Sequence, residues 1–133
     1  MEITEKQLFE VAHQAMQHAY APYSHYTVGA AILCDDGKIY SGINVENASY
    51  GLTNCAERTA IFKAISEGAT HVSKILIVNG TNELSKPCGA CRQVMSEFMG
   101  PEDTVYLTNN SNEYREYIFK EILPLAFSDK DMD

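Results

Sequence analysis

Positive charge is scarce in this sequence. Lys and Arg number 10 against 18 Asp and Glu, a formal net charge of -8, and no basic run occurs. Phosphate contact dominates the affinity of polynucleotide binders. The balance therefore argues against a nucleic-acid polymer and favours a small neutral or cationic ligand. Long apolar runs are missing too: none approaches the roughly 20 residues of a membrane span. The start, Met1 to Lys6, has neither a basic n-region nor an apolar h-region. A cytoplasmic protein without a membrane partner is expected, in a compartment where thiols stay reduced. The four cysteines in 133 residues are then read as ligands or core residues rather than as two disulfides. Internal repeats, low-complexity segments and linkers are absent. The length suits one domain, residues 1–133, and not two.

Hydrophobic periodicity lays out the elements. Thr4 to Ala19 reads as a helix, with Thr4 and Gln7 as a capping box and Leu8, Val11, Ala12, Ala15, Met16 and Ala19 as one apolar stripe. Ala21-Pro22 breaks it. Val28 to Cys34 and Lys38 to Val45 read as strands joined by the hairpin signal Asp36-Gly37. Helices are expected over Cys55 to Glu67, Cys88 to Met99 and Phe119 to Leu123. Strands are expected over Val72 to Val78, Thr104 to Thr108 and Tyr114 to Tyr117. Helices alternating with strands favour a sheet covered on both faces. The strands beginning at Val72 and Thr104 should be parallel, with a helix crossing between them.

Two short segments carry the chemistry, and each opens a predicted helix. One is Cys55-Ala56-Glu57; the other is Pro87-Cys88-Gly89-Ala90-Cys91. Cys88 and Cys91 are one helical turn apart and can chelate one ion. A lone C-x-x-C is also a redox motif, but that reading gives Cys55-Ala56-Glu57 no purpose. With Cys55 the thiolate count is three, and no fourth ligand is well placed. Cys34 lies in a strand and reads as a small buried hydrophobe. His13 and His18 are five apart on the first helix and do not share a face; His25 and His71 are isolated and read as surface or loop side chains. A structural zinc site closes with four ligands; three ligands and an open position are the catalytic pattern. Glu57 is badly placed for a ligand and well placed to pass protons beside that open position. Three thiolates leave zinc with net negative charge. The N-termini of two helices and a donor from Arg58 would offset it, unless Arg58 is simply a surface residue.

The zinc deaminase signature is H-x-E with P-C-x-x-C, cysteine being allowed for histidine; this chain has C-x-E and P-C-x-x-C. Further matching stretches are Tyr20 to Ser24, Val28 to Ala31, Asn44 to Ala48, Asn54 to Ala60, Ser85 to Gln93 and Leu123 to Phe127. With them the sequence resembles the small homotetrameric cytidine deaminases along nearly its whole length.

The resemblance implies an α/β fold, a three-layer α/β/α sandwich around a five-stranded mixed sheet. It implies hydrolysis of cytidine or deoxycytidine to uridine or deoxyuridine and ammonia, by zinc-activated hydroxide attacking C4. One zinc per chain would be held by Cys55, Cys88 and Cys91, with Glu57 as proton shuttle. Asn44 and Glu46 would grip the ribose. They read as alternating on one face at a strand end, with turn residues as the plainer alternative. The backbone around Ala56 would hold the base. Tyr26, where many relatives have phenylalanine, would stack on it. Phe127 would cover a neighbouring subunit's substrate in a tetramer with shared sites; its plainer role is to cover its own core. The rival activity is deamination of another cytosine nucleoside, such as blasticidin S. A non-catalytic zinc module is the rival outside enzymes. A role in pyrimidine salvage or catabolism follows from the resemblance alone.

Overall fold

The computed structural model describes residues 3–125. Helix α1 (Glu5–Met16) opens on a capping box in which the Thr4 hydroxyl accepts from Gln7 N–H and the Gln7 side chain accepts from Thr4 N–H. It stops short of the expected Ala19. Tyr20 is drawn into a bridge with Val45, and the chain must leave the helix axis to reach it. Strands β1 (Val28–Cys34) and β2 (Ile39–Ile43) form an antiparallel hairpin. Gly37 supplies its left-handed turn with φ 79°. Next come a short 3₁₀ turn (Tyr50–Leu52), α2 (Ala56–Ser66), β3 (Val72–Asn79) and α3 (Gly89–Phe98). Strands β4 (Thr104–Thr108) and β5 (Tyr114–Ile118) and helix α4 (Phe119–Ile122) complete the order.

The five strands form one mixed sheet in the order β2-β1-β3-β4-β5. Only β3 and β4 pair in parallel, with α3 crossing between them. Alternation along the central strands splits the core in two. Ala31, Leu76, Val78 and Tyr106 face α1 and pack with its Leu8, Ala12 and Met16. Ala30, Ile32, Ile75, Ile77, Val105 and Leu107 face the other way, onto Ala60, Ile61 and Ala64 of α2 and Met95 of α3. The expected three-layer α/β/α arrangement follows from those two faces. Cys34 is buried in the second cluster, as a small hydrophobe.

Two glycines let helices approach closely. A Cβ at Gly29 would stand 2.2 Å from the Ala12 carbonyl oxygen of α1. One at Gly42 would stand 2.4 Å from both the Ala56 oxygen and the Ala60 nitrogen of α2. Gly42 thus lets the first turn of α2 rest directly on β2, which sets the position of Cys55, Ala56 and Glu57. Among the described residues, no helix is long and apolar enough to cross a membrane.

Candidate active site

The two chemical segments meet where the N-termini of α2 and α3 converge. Cys55 is the N-cap of α2 and Cys88 the N-cap of α3, where its sulfur accepts from Cys91 N–H at 3.3 Å. The Sγ atoms of Cys55 and Cys88 are 3.8 Å apart, and those of Cys88 and Cys91 3.2 Å. All three lie within 4.8 Å of one another. Zinc–sulfur bonds of about 2.3 Å at tetrahedral angles separate the sulfurs by about 3.8 Å. Three sulfurs at these spacings form one face of a tetrahedron, so the donor set fits zinc. Both helices direct free N–H groups and positive dipole ends at them.

Arg58 is one residue beyond Glu57 and turns toward the cluster. Its Nη2 donates to Cys55 Sγ at 3.3 Å. Hydrogen bonds from Cys91, Arg58 and Cys88 pull the Cys55 thiol down to about 5. Cys91 moves the other way, because its proton is engaged with Cys55 and its surroundings are dry. Of Cys55 and Cys91, Cys55 is therefore the one that ionises first. Metal binding takes the remaining protons off the others.

Glu57 sits in the first turn of α2, 4% exposed. Burial pushes its carboxyl up to about 7, against the pull of its own backbone N–H. A carboxyl balanced near neutrality beside a metal-binding cluster can both take and give a proton. Beside it opens a cavity of about 200 Å³, lined by Tyr26, Val28, Asn44, Thr53, Ile77, Ser85 and Lys86 together with Cys55 to Glu57 and Cys88. This is below the roughly 300–1,000 Å³ of sites for drug-sized ligands, and suits a compact molecule rather than a polymer. Ala56, fully buried, is one of its lining residues.

Tyr26 lines the cavity with its ring partly open to solvent; burial, then the charges of Glu57 and Glu83, push its phenol up. Asn44 and Glu46 do not alternate along a strand as the sequence reading expects. β2 ends at Ile43, because the Asn44 side chain takes over the edge: Oδ1 accepts from Val28 N–H at 2.9 Å and Nδ2 donates to the Tyr26 carbonyl at 2.8 Å. One amide hydrogen and one lone pair remain. Glu46 lies beyond, in an irregular segment, and its carboxylate clasps Tyr23 and Ser24. Phe127 lies outside the described residues.

Three supporting residues escaped the sequence reading. Arg92 ties the loop before α3 to α4, donating to the Pro87 carbonyl at 2.9 Å and the Ile122 carbonyl at 2.8 Å. Ser85, buried, donates to the Thr108 carbonyl at 2.8 Å, and Asn79, fully buried, donates to Ser85 Oγ at 2.8 Å. A buried asparagine needs partners; here they hold the loop that carries Cys88. The bonds from Arg92 to Ile122 and from Ser85 to Thr108 span 30 and 23 residues, so spacing along the sequence carries no trace of them.

A family model of the cytidine and deoxycytidylate deaminase zinc-binding region matches residues 2–108. The chain belongs to this family. Its cofactor is zinc, and it is an enzyme of the zinc-dependent deaminase class. It is 52% identical to a cytidine deaminase of Halalkalibacterium halodurans over 126 residues, 95% of this chain and 96% of that protein. It is 46% identical to a cytidine deaminase of Sporosarcina psychrophila, covering 96% of this chain and 93% of that one. The fold is similar to the crystal structure of a cytidine deaminase from Burkholderia pseudomallei, with a TM-score of 0.89 and 48% identity over 94% of this chain and all of that one.

Proposed function

We propose that this chain hydrolyses cytidine and deoxycytidine to uridine and deoxyuridine with release of ammonia. The observation that carries the reading is the buried Glu57 carboxyl, poised near neutrality beside three clustered cysteines, of which Cys55 and Cys88 line a small open cavity. The names and high identity of the relatives above support the same substrates.

In this reading Cys55, Cys88 and Cys91 hold one zinc ion. Bound zinc supplies Lewis acidity, which makes water a nucleophile near neutral pH. Arg58 withdraws charge from the thiolates through its bond to Cys55. Glu57 takes one proton from the attacking water and delivers it to ring N3; it then takes the remaining proton from the new C4 hydroxyl and gives it to the departing amino nitrogen. Water and the nucleoside in, ammonia and the keto nucleoside out, leave Glu57 as it began. Backbone at Ala56 meets the base edge and Tyr26 covers its face. The spare amide hydrogen of Asn44 and the carboxylate of Glu46 take the sugar hydroxyls. The chain works as one domain, residues 1–133, in the cytoplasm. It assembles as a homotetramer in which Phe127 closes a neighbour's pocket and excludes water.

Loss of ultraviolet absorbance by cytidine and deoxycytidine, incubated with the zinc-loaded protein, tests the activity. Glu57→Gln should keep its zinc and lose on the order of 10²–10⁴-fold in kcat. A zinc-replete Glu57→Gln protein with near-normal turnover would overturn the mechanism. Hybrids of Glu57→Ala with Phe127→Ala chains should regain activity that neither parent has. Hybrids no more active than the parental average would show that each chain builds its pocket alone.

A further inference from the structure

We infer that Ser24 is a positioning residue for the nucleoside, linking the segment that carries Tyr26 to the carboxylate of Glu46. The inference rests on the reading of Glu46 as an acceptor for the sugar.

The segment from Ala21 to Tyr26 has no regular structure, so side chains must set its path. His25 turns it in the left-handed region, φ 59°, with its N–H on the Ala21 carbonyl at 3.0 Å. Glu46 fastens the turn. Its Oε1 accepts Tyr23 N–H at 3.0 Å and Ser24 N–H at 3.1 Å, and its Oε2 accepts the Ser24 hydroxyl. Glu46 itself is tied back through its N–H to the Tyr20 carbonyl at 2.9 Å.

The Ser24 oxygen also accepts, from Tyr26 N–H at 3.0 Å. A hydroxyl has a single hydrogen, and here it goes to Glu46. The direction is therefore set: Tyr26 N–H to Ser24 Oγ, Ser24 O–H to Glu46 Oε2. A carboxylate offers about four acceptor sites. The protein donors on Glu46 fill three, two on Oε1 and one on Oε2. Among the described residues no donor reaches the fourth site, which is on Oε2 beside the Ser24 hydroxyl. Ser24 is also the first cause of the lowered pKa of Glu46, which keeps the group an anionic acceptor.

Without the hydroxyl, Oε2 has no protein donor, and the carboxylate can turn about its soft terminal torsion. Tyr26 N–H loses its acceptor at the same time. The base-facing and sugar-facing residues are then no longer held in register. Ser24 is exposed, so water replaces part of what is lost and the effect is severalfold.

The test compares cytidine with 2′,3′-dideoxycytidine, which lacks both sugar hydroxyls, on the zinc-loaded enzyme. Ser24→Ala should raise KM for cytidine about five- to tenfold, as expected for a partly solvated bond to a charged group. Its kcat should change little, and its KM for dideoxycytidine should stay within about twofold. Ser24→Thr, which keeps the hydroxyl, should restore the wild-type ratio of kcat/KM for cytidine to kcat/KM for dideoxycytidine. Both substrates are measured on one preparation, so partial misfolding cancels from the ratio. Equal losses on both substrates, or none on either, would overturn the role. Glu46→Ala must itself lower the ratio; if it does not, the sugar reading of Glu46 falls and the linkage falls with it. If Glu46→Ala lowers the ratio and Ser24→Ala does not, the linkage alone falls. In the double variant the ratio should match that of Glu46→Ala, and a further drop would show that Ser24 acts by another route.

Discussion

Glu57 stands at one end of the sheet, walled in by protein, and Asp35 stands at the other, in water. Both are carboxylic acids, and their surroundings drive them in opposite directions. Burial with few donors pushes Glu57 up to about 7. Three donors from the two residues before β3 hold Asp35 down at about 2: the Thr70 hydroxyl at 2.6 Å, Thr70 N–H at 3.1 Å and His71 N–H at 3.1 Å. The Asp35 end is a finished clasp. It joins the end of β1 to the start of β3, and His71 continues it to Asp103 at 2.8 Å. The Glu57 end is left short of donors and opens on a cavity. The Asp35 carboxylate spends three acceptor sites on its own chain at the end of the sheet away from the cavity, where it serves the fold. A carboxyl that burial holds near neutrality beside a cavity is suited to exchanging protons.

Removing the sulfurs would break the comparison most completely. Cys55→Ala, Cys88→Ala and Cys91→Ala should each abolish zinc retention and activity, exceeding the roughly 10–100-fold cost of losing only a supporting group around a metal. Cys34→Ala should keep one zinc per chain, because Cys34 lies in the core cluster away from the other three. Metal analysis of the four purified proteins decides it. Zinc lost from Cys34→Ala and kept in Cys55→Ala would assign the wrong third sulfur.

How much of this contrast was legible in the sequence depends on how far apart the interacting residues lie. Cys55, Glu57, Cys88 and Cys91 occupy two short motifs, and local spacing brought them out. The sheet was legible too, down to the parallel pairing of β3 with β4, since each strand and helix carries its own periodicity. The end of β2 was not. It depends on the Asn44 side chain reaching Val28 and Tyr26, 16 and 18 residues back. The end of α1 likewise depends on the bridge from Tyr20 to Val45. The Asp35 clasp spans 35 residues to Thr70 and left no local signal. Gly42 looked like any strand glycine until α2 was seen resting on it.

Gly42→Ala sharpens the comparison by moving one end of the sheet and leaving the other alone. A methyl group 2.4 Å from two backbone atoms of α2 cannot be accommodated without shifting that helix. Overpacking of this kind costs about 1–3 kcal/mol, which lowers Tm by several degrees in a chain of this size. The shift bears on Ala56 to Glu57, so kcat/KM should fall as well. Gly51→Ala is the control: nothing lies within 4 Å of its added Cβ. Thermal unfolding and steady-state kinetics on both variants make the measurement. A Gly42→Ala enzyme as active as wild type would mean that the first turn of α2 tolerates displacement.

The smallest effect belongs to the opposite end, and pH brings it out. The Asp35 carboxyl is ordinarily half-protonated near 3.8 and in the fold near 2. A group whose folded value is depressed stabilises the fold above its unfolded value and loses that contribution as pH falls through the folded one. The Asp35 contribution should therefore be complete above about pH 4 and vanish toward pH 2. Asp35→Asn never carries the charge and lacks this dependence. Urea unfolding of both proteins across that range should show wild type the more stable at pH 5, with the gap narrowing steadily below pH 4. Zinc leaves both proteins in acid as the thiolates protonate, so its loss cancels from the difference. Activity of Asp35→Asn at neutral pH should match wild type, because the clasp is at the far end of the strands from Glu57. A gap that stayed constant with pH would mean that the clasp works through hydrogen-bond geometry and not through charge. A gap that widened in acid would contradict the assignment of the depressed carboxyl to Asp35.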